Sequence, residues 1–202
     1  NQKNSYQTSI VFESGVKSQI DSFFIANSGF KGILVGSSIV KSEDSTNQIK
    51  LLKNGFQIGS KYNSRFYDKI FYKYYIEKRV VFKICGITNI TDAMYCVKSG
   101  VDILGFIFAE SKREISIESA KEILSQIGDS VLKVGVVVDK NIDGVVKLVK
   151  DGWLNAIQFH NDFTDEECMA FGVCYYKAVR VKDKNDIDNN WHSPMVLFDA
   201  FS

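Results

Sequence analysis

A chain of 202 residues, 45% hydrophobic and 24% charged, has enough apolar material for one sizeable core or two small ones, and its composition excludes a disordered or low-complexity protein. A formal net charge of +1 gives no electrostatic case for nucleic acid or a membrane surface, and the local cluster of Lys61, Arg65, Lys69, Lys73, Lys78 and Arg79 reads as a solvated helix face. The four cysteines, Cys85, Cys96, Cys168 and Cys174, contain no C-x-x-C pair and read as free thiols. With no charged leader ahead of an apolar stretch and no run long enough to span a bilayer, a cytoplasmic chain is expected.

From the N-terminus, where Asn1 in place of methionine suggests a piece of a longer chain, strand and helix signals alternate. "SIVFESG" predicts a strand, "KSQIDSFFIANSG" a helix, "KGILVGSSIV" a strand and "STNQIKLLKNG" a helix. Residues 59–79 carry aromatic side chains at near-helical spacing without a clean amphipathic stripe, which predicts a connector with helical content. Beyond it, "VVFKICG", "ILGFIFA", "LKVGVVVD", "AIQFH", "YYKAVRV" and "MVLFDAF" predict strands, with helices over "NITDAMYCVKSG", "SIESAKEILSQIG", "NIDGVVKLVKDG" and "TDEECMAFG" between them. Asn89 or Thr91 can cap the first of these helices and Gly100 close it, while Ser116 stands three residues before Ser119 without completing a capping box. Strict alternation of the two periods points to a parallel α/β fold.

The stretch "KICGIT" at residues 83–88 puts a thiol at a strand end. Val80, Val81, Phe82 and Ile84 are strand formers and Gly86 permits a turn, so Cys85 falls at the C-terminal tip of its strand. Taken alone, an unpaired cysteine among apolar residues is a small core hydrophobe.

The ordered series "FKICGIT", "VDILGFIFAESKREIS", "LKVGVVVD", "AIQFHND", "YKAVRV" and "MVLFDA" resembles the strand motifs of phosphoribosylanthranilate isomerase, a (βα)8 barrel enzyme of tryptophan biosynthesis. The resemblance covers residues 80–202 and reaches the sixth unit; the seventh and eighth, which hold that family's glycine-rich phosphate site, lie outside it. The front segment "IVFESGVKSQIDSFFIANSGFKGILVGSSIVKSED" is similar to the last two units of indole-3-glycerol-phosphate synthase, a second (βα)8 barrel of the same pathway. Together the resemblances imply part of a bifunctional fusion: residues 1–58 from the synthase-like barrel, 59–79 as connector and 80–202 from the isomerase-like barrel. The implied fold is α/β of the TIM-barrel type in partial barrels. The alternative is one hybrid eight-stranded barrel, because two units and six make eight.

The isomerase resemblance implies an Amadori rearrangement with Asp199 as general acid and Cys85 as general base, both at strand ends where barrel enzymes keep their reacting groups. Without it, Asp199 reads as a turn or capping residue. Arg113 matches the arginine that anchors the anthranilate carboxylate, with Lys112 where the family has a proline; otherwise it is a surface cation. Gln158 and His160 match a pair lining the site, and His160 has no second histidine or cysteine at the spacing a metal would require. The synthase resemblance makes Glu13 a substrate contact and Ser14, Gly15, Gly36 and Ser37 phosphate-binding backbone turns, although small residues in a strand-to-helix turn are weak evidence by themselves. The implied partner is a small phosphorylated substrate, with no metal or organic cofactor, no nucleic acid and no membrane. A non-catalytic phosphate-binding fragment of the same fusion is the competing class.

Overall fold

The computed structural model describes residues 9–61, 65–160, 163–187, 193 and 195–200. The chain divides into two compact units, Asn1–Asn63 and Ser64–Ser202. The boundary falls inside the stretch expected to be a connector. Residues 59–61 of that stretch belong to a long helix of the first unit, and residues 65–79 fold with the second.

In the first unit the order is β1 (Val11–Glu13), α1 (Gln19–Asn27), β2 (Gly32–Leu34), one helical turn α2 (Ser37–Val40) and α3 (Ser45–Lys61). The two strands are parallel, with Glu13 opposite Leu34. α1 begins at a capping box: the Ser18 hydroxyl accepts from the Asp21 amide, and the Asp21 carboxylate accepts from the Ser18 amide at 2.8 Å. Val16, Ile25 and Leu52 form the centre of a small core, with Phe12, Phe30, Ile33 and Phe56 against it. A helix end was expected at Gly55, but α3 runs through it. A methyl group at Gly55 would sit 2.1 Å from the Gln19 carbonyl oxygen, and one at Gly59 2.1 Å from that of Phe23. The glycines therefore serve close approach of α1 and α3 and not chain reversal.

The second unit opens with α4 (Arg65–Phe71) and a π-helical turn (Tyr72–Ile76). Six strands follow: β3 (Lys83–Cys85), β4 (Ile103–Ile107), β5 (Leu132–Val137), β6 (Ala156–His160), β7 (Tyr175–Val181) and β8 (Val196–Ala200). Between successive strands from β3 to β7 lie α5 (Ile90–Lys98), α6 (Ile117–Leu124), α7 (Asp143–Lys150) and α8 (Asp165–Ala170). Asn89 caps α5 and Ser116 caps α6, and Gly100 takes φ of +78° just past the end of α5. All six strands are parallel and pair in sequence order. Every residue of β5, and all but the last of β4 and of β6, is buried, as expected where helices cover one face and the other faces an interior.

The sheet is curled. β3 and β6 are three strands apart, about 14 Å in a flat sheet, yet Lys83 Nζ lies 2.7 Å from Gln158 Oε1. Curvature of this kind, with sequential parallel order, is that of a partial (βα)8 barrel. The hybrid alternative does not form. β1 and β2 make a two-stranded sheet of their own, and the six-stranded sheet starts at β3 and ends at β8. β1 and β2 find in each other a hydrogen-bonding partner and in Val16, Ile25 and Leu52 a core, so each sheet is satisfied separately.

α4 is anchored on this barrel wall. Phe66 and Tyr67 are buried; Phe66 stacks on Tyr176 with centroids 5.7 Å apart, and the Tyr67 hydroxyl donates to the carbonyl oxygen of Tyr175. The basic cluster is only partly a solvated face, since Lys69 Nζ meets the Asp129 carbonyl oxygen at 2.5 Å and Lys73 and Arg79 both bind Asp102. No helix among the described residues is long and apolar enough to cross a membrane.

Candidate active site

Alternation along β3 puts Lys83 and Cys85 on one face of the strand. The chain then turns at Gly86, φ +88°, and the amides of Gly86 and Ile87 both donate to the Gly105 carbonyl oxygen, at 2.9 and 3.0 Å. Gly105 lies opposite Cys85 in β4, and a methyl group there would come 2.8 Å from Cys85 Sγ. A methyl group on Gly86 would meet Arg113 Cδ at 2.6 Å. Both glycines are thus required by what packs on them, the thiol in one case and the arginine in the other.

Arg113 stands in the loop after β4. The loop is tied back by a bridge between Ile107 and Glu114, and the Arg113 amide donates to Ser111 Oγ at 3.2 Å. Its guanidinium crosses to β3, where Nη1 donates to the Cys85 carbonyl oxygen at 2.9 Å. The arginine is exposed and also touches the strand end that carries the thiol.

On β6, Gln158 and His160 share a face. Gln158 is buried, and its Oε1 accepts from Lys83 Nζ at 2.7 Å and from the Tyr176 hydroxyl at 2.8 Å. Lys83 Nζ is also 3.4 Å from Cys85 Sγ. His160 Nε2 lies 3.5 Å from Asp199 Oδ2 on β8. Burial, together with the positive charges of Arg180 and Lys83, lowers the His160 pKa against the opposing pull of Asp199, so its imidazole is neutral in neutral solution. Asp199 is half exposed, open to a ligand at the mouth.

Cys85, Arg113, Gln158, His160 and Asp199 therefore gather at the C-terminal ends of strands in the second unit, joined through β6. The arrangement holds a thiol beside an ammonium group, a carboxylate beside a neutral imidazole, and a guanidinium at the rim. Two groups able to exchange protons and one able to clasp an anion are the means for moving protons on a small acidic molecule. Lys83 and Tyr176 were missed at the sequence level. Lys83 could have been found from period-two alternation back from Cys85; nothing local marks Tyr176. Asn161 and Asp162, at the end of the "AIQFHND" motif, lie outside the described residues.

The remaining residues lie in the first unit. Glu13 is exposed at the end of β1, and Ser14 and Gly15 follow with φ of 73° and 77°. Gly36 precedes α2 and Ser37 begins it. Since β1 and β2 are adjacent and parallel, the two turns leave neighbouring strand ends.

A crystal structure of phosphoribosylanthranilate isomerase from Thermotoga maritima superposes with a TM-score of 0.57 at 35% identity, covering 61% of this chain and 63% of that one. Another, of the isomerase with reduced 1-(o-carboxyphenylamino)-1-deoxyribulose 5-phosphate, has a TM-score of 0.56 at 36% identity over 61% of this chain and 66% of its own. N-(5'-phosphoribosyl)anthranilate isomerase of Bacillus cereus (strain B4264) is 34% identical over 120 residues, 58% of this chain and 59% of that protein, so the chain spans about three fifths of its relative's length. Residues 82–202 match the N-(5'phosphoribosyl)anthranilate (PRA) isomerase family, and with more than half of its length in that match the chain belongs to the PRA isomerase family.

Proposed function

We propose that the protein carrying this chain isomerises N-(5-phosphoribosyl)anthranilate to the corresponding ketose in tryptophan biosynthesis. The observation that carries this reading is the convergence of Cys85, Arg113 and the His160–Asp199 pair at the strand ends of a barrel of this family. Asp199, as general acid, delivers a proton to the furanose ring oxygen, and the sugar opens to a Schiff base. Cys85, as general base, removes the C2′ proton and leaves an enolamine that becomes the ketose. Arg113 clasps the anthranilate carboxylate with the donors not committed to the Cys85 carbonyl. Gln158 and His160 line the site, the imidazole in its neutral form. The two assigned steps are proton transfers between a named side chain and substrate, and the enolamine then tautomerises to the ketose by gaining a proton at C1′ and losing one from its 2′-hydroxyl, so the sequence calls for no metal or organic cofactor. The relative bound to a reduced ribulose 5-phosphate analogue supports a small phosphorylated ligand.

The first unit fits the closing part of an indole-3-glycerol-phosphate synthase barrel in a cytoplasmic fusion, with lyase activity in the parent protein. The support is its parallel strand–helix order and its two small-residue turns, where Ser14, Gly15, Gly36 and Ser37 leave amides for a phosphate and Glu13 stands as the substrate contact. Residues 1–58 would be the synthase part, 59–79 the connector and 80–202 the isomerase part.

Two variants of the full-length protein test the isomerase assignment. Cys85→Ser and Asp199→Asn are each expected to lower kcat by at least about a hundredfold with KM nearly unchanged, the pattern of groups that act in the transition state. Near-normal turnover in either, measured by loss of anthranilate-adduct fluorescence, removes that residue from its role. Failure of the full-length gene to restore growth of an isomerase-deficient strain would favour a non-catalytic phosphate-binding protein.

A further inference from the structure

We propose that Lys83 is a catalytic residue of this site: its ammonium group supplies the positive charge that holds Cys85 as a thiolate, and Gln158 and Tyr176 aim it. The inference rests on Cys85 being the proton-abstracting group. A free thiol is mostly protonated at neutral pH, so a thiolate base needs a cation close to the sulphur.

Lys83 meets that need through two contacts of its own and a third behind them. It shares a face with Cys85 by strand alternation and puts Nζ 3.4 Å from Sγ. The same Nζ donates to Gln158 Oε1 at 2.7 Å, and that oxygen also receives the Tyr176 hydroxyl at 2.8 Å. Gln158 and Tyr176 are buried, so the acceptor that positions Lys83 is itself fixed from behind. An amide oxygen can hold the ammonium without neutralising it, and this leaves the charge for the sulphur; a carboxylate there would compete with the thiolate.

The other charged groups at this end have different attachments. Arg113 gives its hydrogen bond to the Cys85 carbonyl and not to the sulphur, Arg180 acts on His160, and Asp199 lies against His160. In the reaction step, the C2′–H bond breaks, its proton goes to Cys85 Sγ, and its electron pair enters the enolamine. Lys83 keeps all its protons throughout. Its attraction is strongest for the thiolate and weakens once the sulphur is protonated, so it acts by populating the reactive form of Cys85.

The experiment is the rate at which iodoacetamide alkylates Cys85 at pH 7 in the full-length protein, read by mass spectrometry of the Cys85 peptide. Lys83→Met keeps the length of the side chain and removes the charge; alkylation is expected to slow by at least about tenfold, with kcat falling in parallel and KM within about twofold. Lys83→Arg is expected to recover most of both rates, which a purely space-filling role would not produce. Tyr176→Phe leaves the packing in place and loosens only the hold on Gln158, so it gives a second reading, expected as a two- to threefold slowing, should Lys83→Met not fold. Alkylation at the wild-type rate in folded Lys83→Met, or in Tyr176→Phe if the first variant does not fold, overturns the proposal. Cys85→Ser separates the two ideas: full activity without the thiol would remove Cys85 as base, while the alkylation rates still decide whether Lys83 governs the sulphur.

Discussion

A carboxylate with 1% side-chain exposure needs partners, and Asp102, at the threshold of β4, has three. Arg79 binds it through both terminal nitrogens at 2.9 and 2.6 Å, Lys73 at 2.5 Å, and the Phe82 amide at 2.9 Å. Burial alone would raise the Asp102 pKa; these donors outweigh it and hold the carboxyl at about 2, against 3.8 for an unperturbed aspartate. A folded-state pKa below the unfolded one contributes stability that is complete above pH 4 and is lost as pH falls through 2. At about 1.4 kcal/mol per unit, the contribution is about 2 kcal/mol. Urea unfolding of wild type and Asp102→Asn is therefore expected to differ by about 2 kcal/mol at pH 6 and to converge near pH 2. A gap that stays constant across that range would show that the carboxylate's charge is not what matters. None of this pairing was legible in the sequence, because nothing local marks Asp102 and its cations come from 23 and 29 residues upstream. The placement of Cys85 and Asp199 at strand ends, and of Arg113 in the loop after β4, was legible because each stands inside a motif where position along the chain fixes position in the barrel.

Secondary-structure elements were read well where the hydrophobic period was unbroken. The strands from "VVFKICG" to "MVLFDAF" and the helices between them occur in the expected order, since each is long enough to bury a face. Glycine is where local reading misled. "KNG" looks like a helix end, yet α3 passes through Gly55 and Gly59 because α1 comes too close for any side chain. That contact is long-range and leaves only a glycine as its mark. In an exposed helix Gly→Ala would stabilise by about 1 kcal/mol. Here the added methyl would lie 2.1 Å from the Gln19 carbonyl oxygen, and backbone must move to admit it. Gly55→Ala is expected to destabilise the first unit by at least about 2 kcal/mol, seen as a fall in Tm by circular dichroism. A rise in Tm would mean that α1 and α3 separate without cost.

At the scale of the molecule, the six-stranded sheet has two ends. Among the described residues β3 bonds on one side only, to β4, and β8 on one side only, to β7, which leaves each an outer row of backbone donors and acceptors. Apolar side chains stand beside both: Phe82 is 62% and Ile84 43% exposed at β3, and Phe198 is 47% exposed on β8. Proteins protect open strand edges with charge, proline or covering structure, and an unprotected apolar edge recruits another strand. The 202-residue chain by itself is expected to self-associate through these edges, with its mean sedimentation coefficient rising between about 1 and about 100 µM. Phe82→Lys combined with Phe198→Lys puts a charge at each edge without altering backbone pairing, and is expected to shift that rise to at least about tenfold higher concentration. A longer chain supplying two further strand–helix units would cover the same edges, so it is expected to sediment as one species over this range. A single monomer peak for the unmodified 202-residue chain at every concentration would show that the edges are already protected and that closure adds nothing to its solution behaviour.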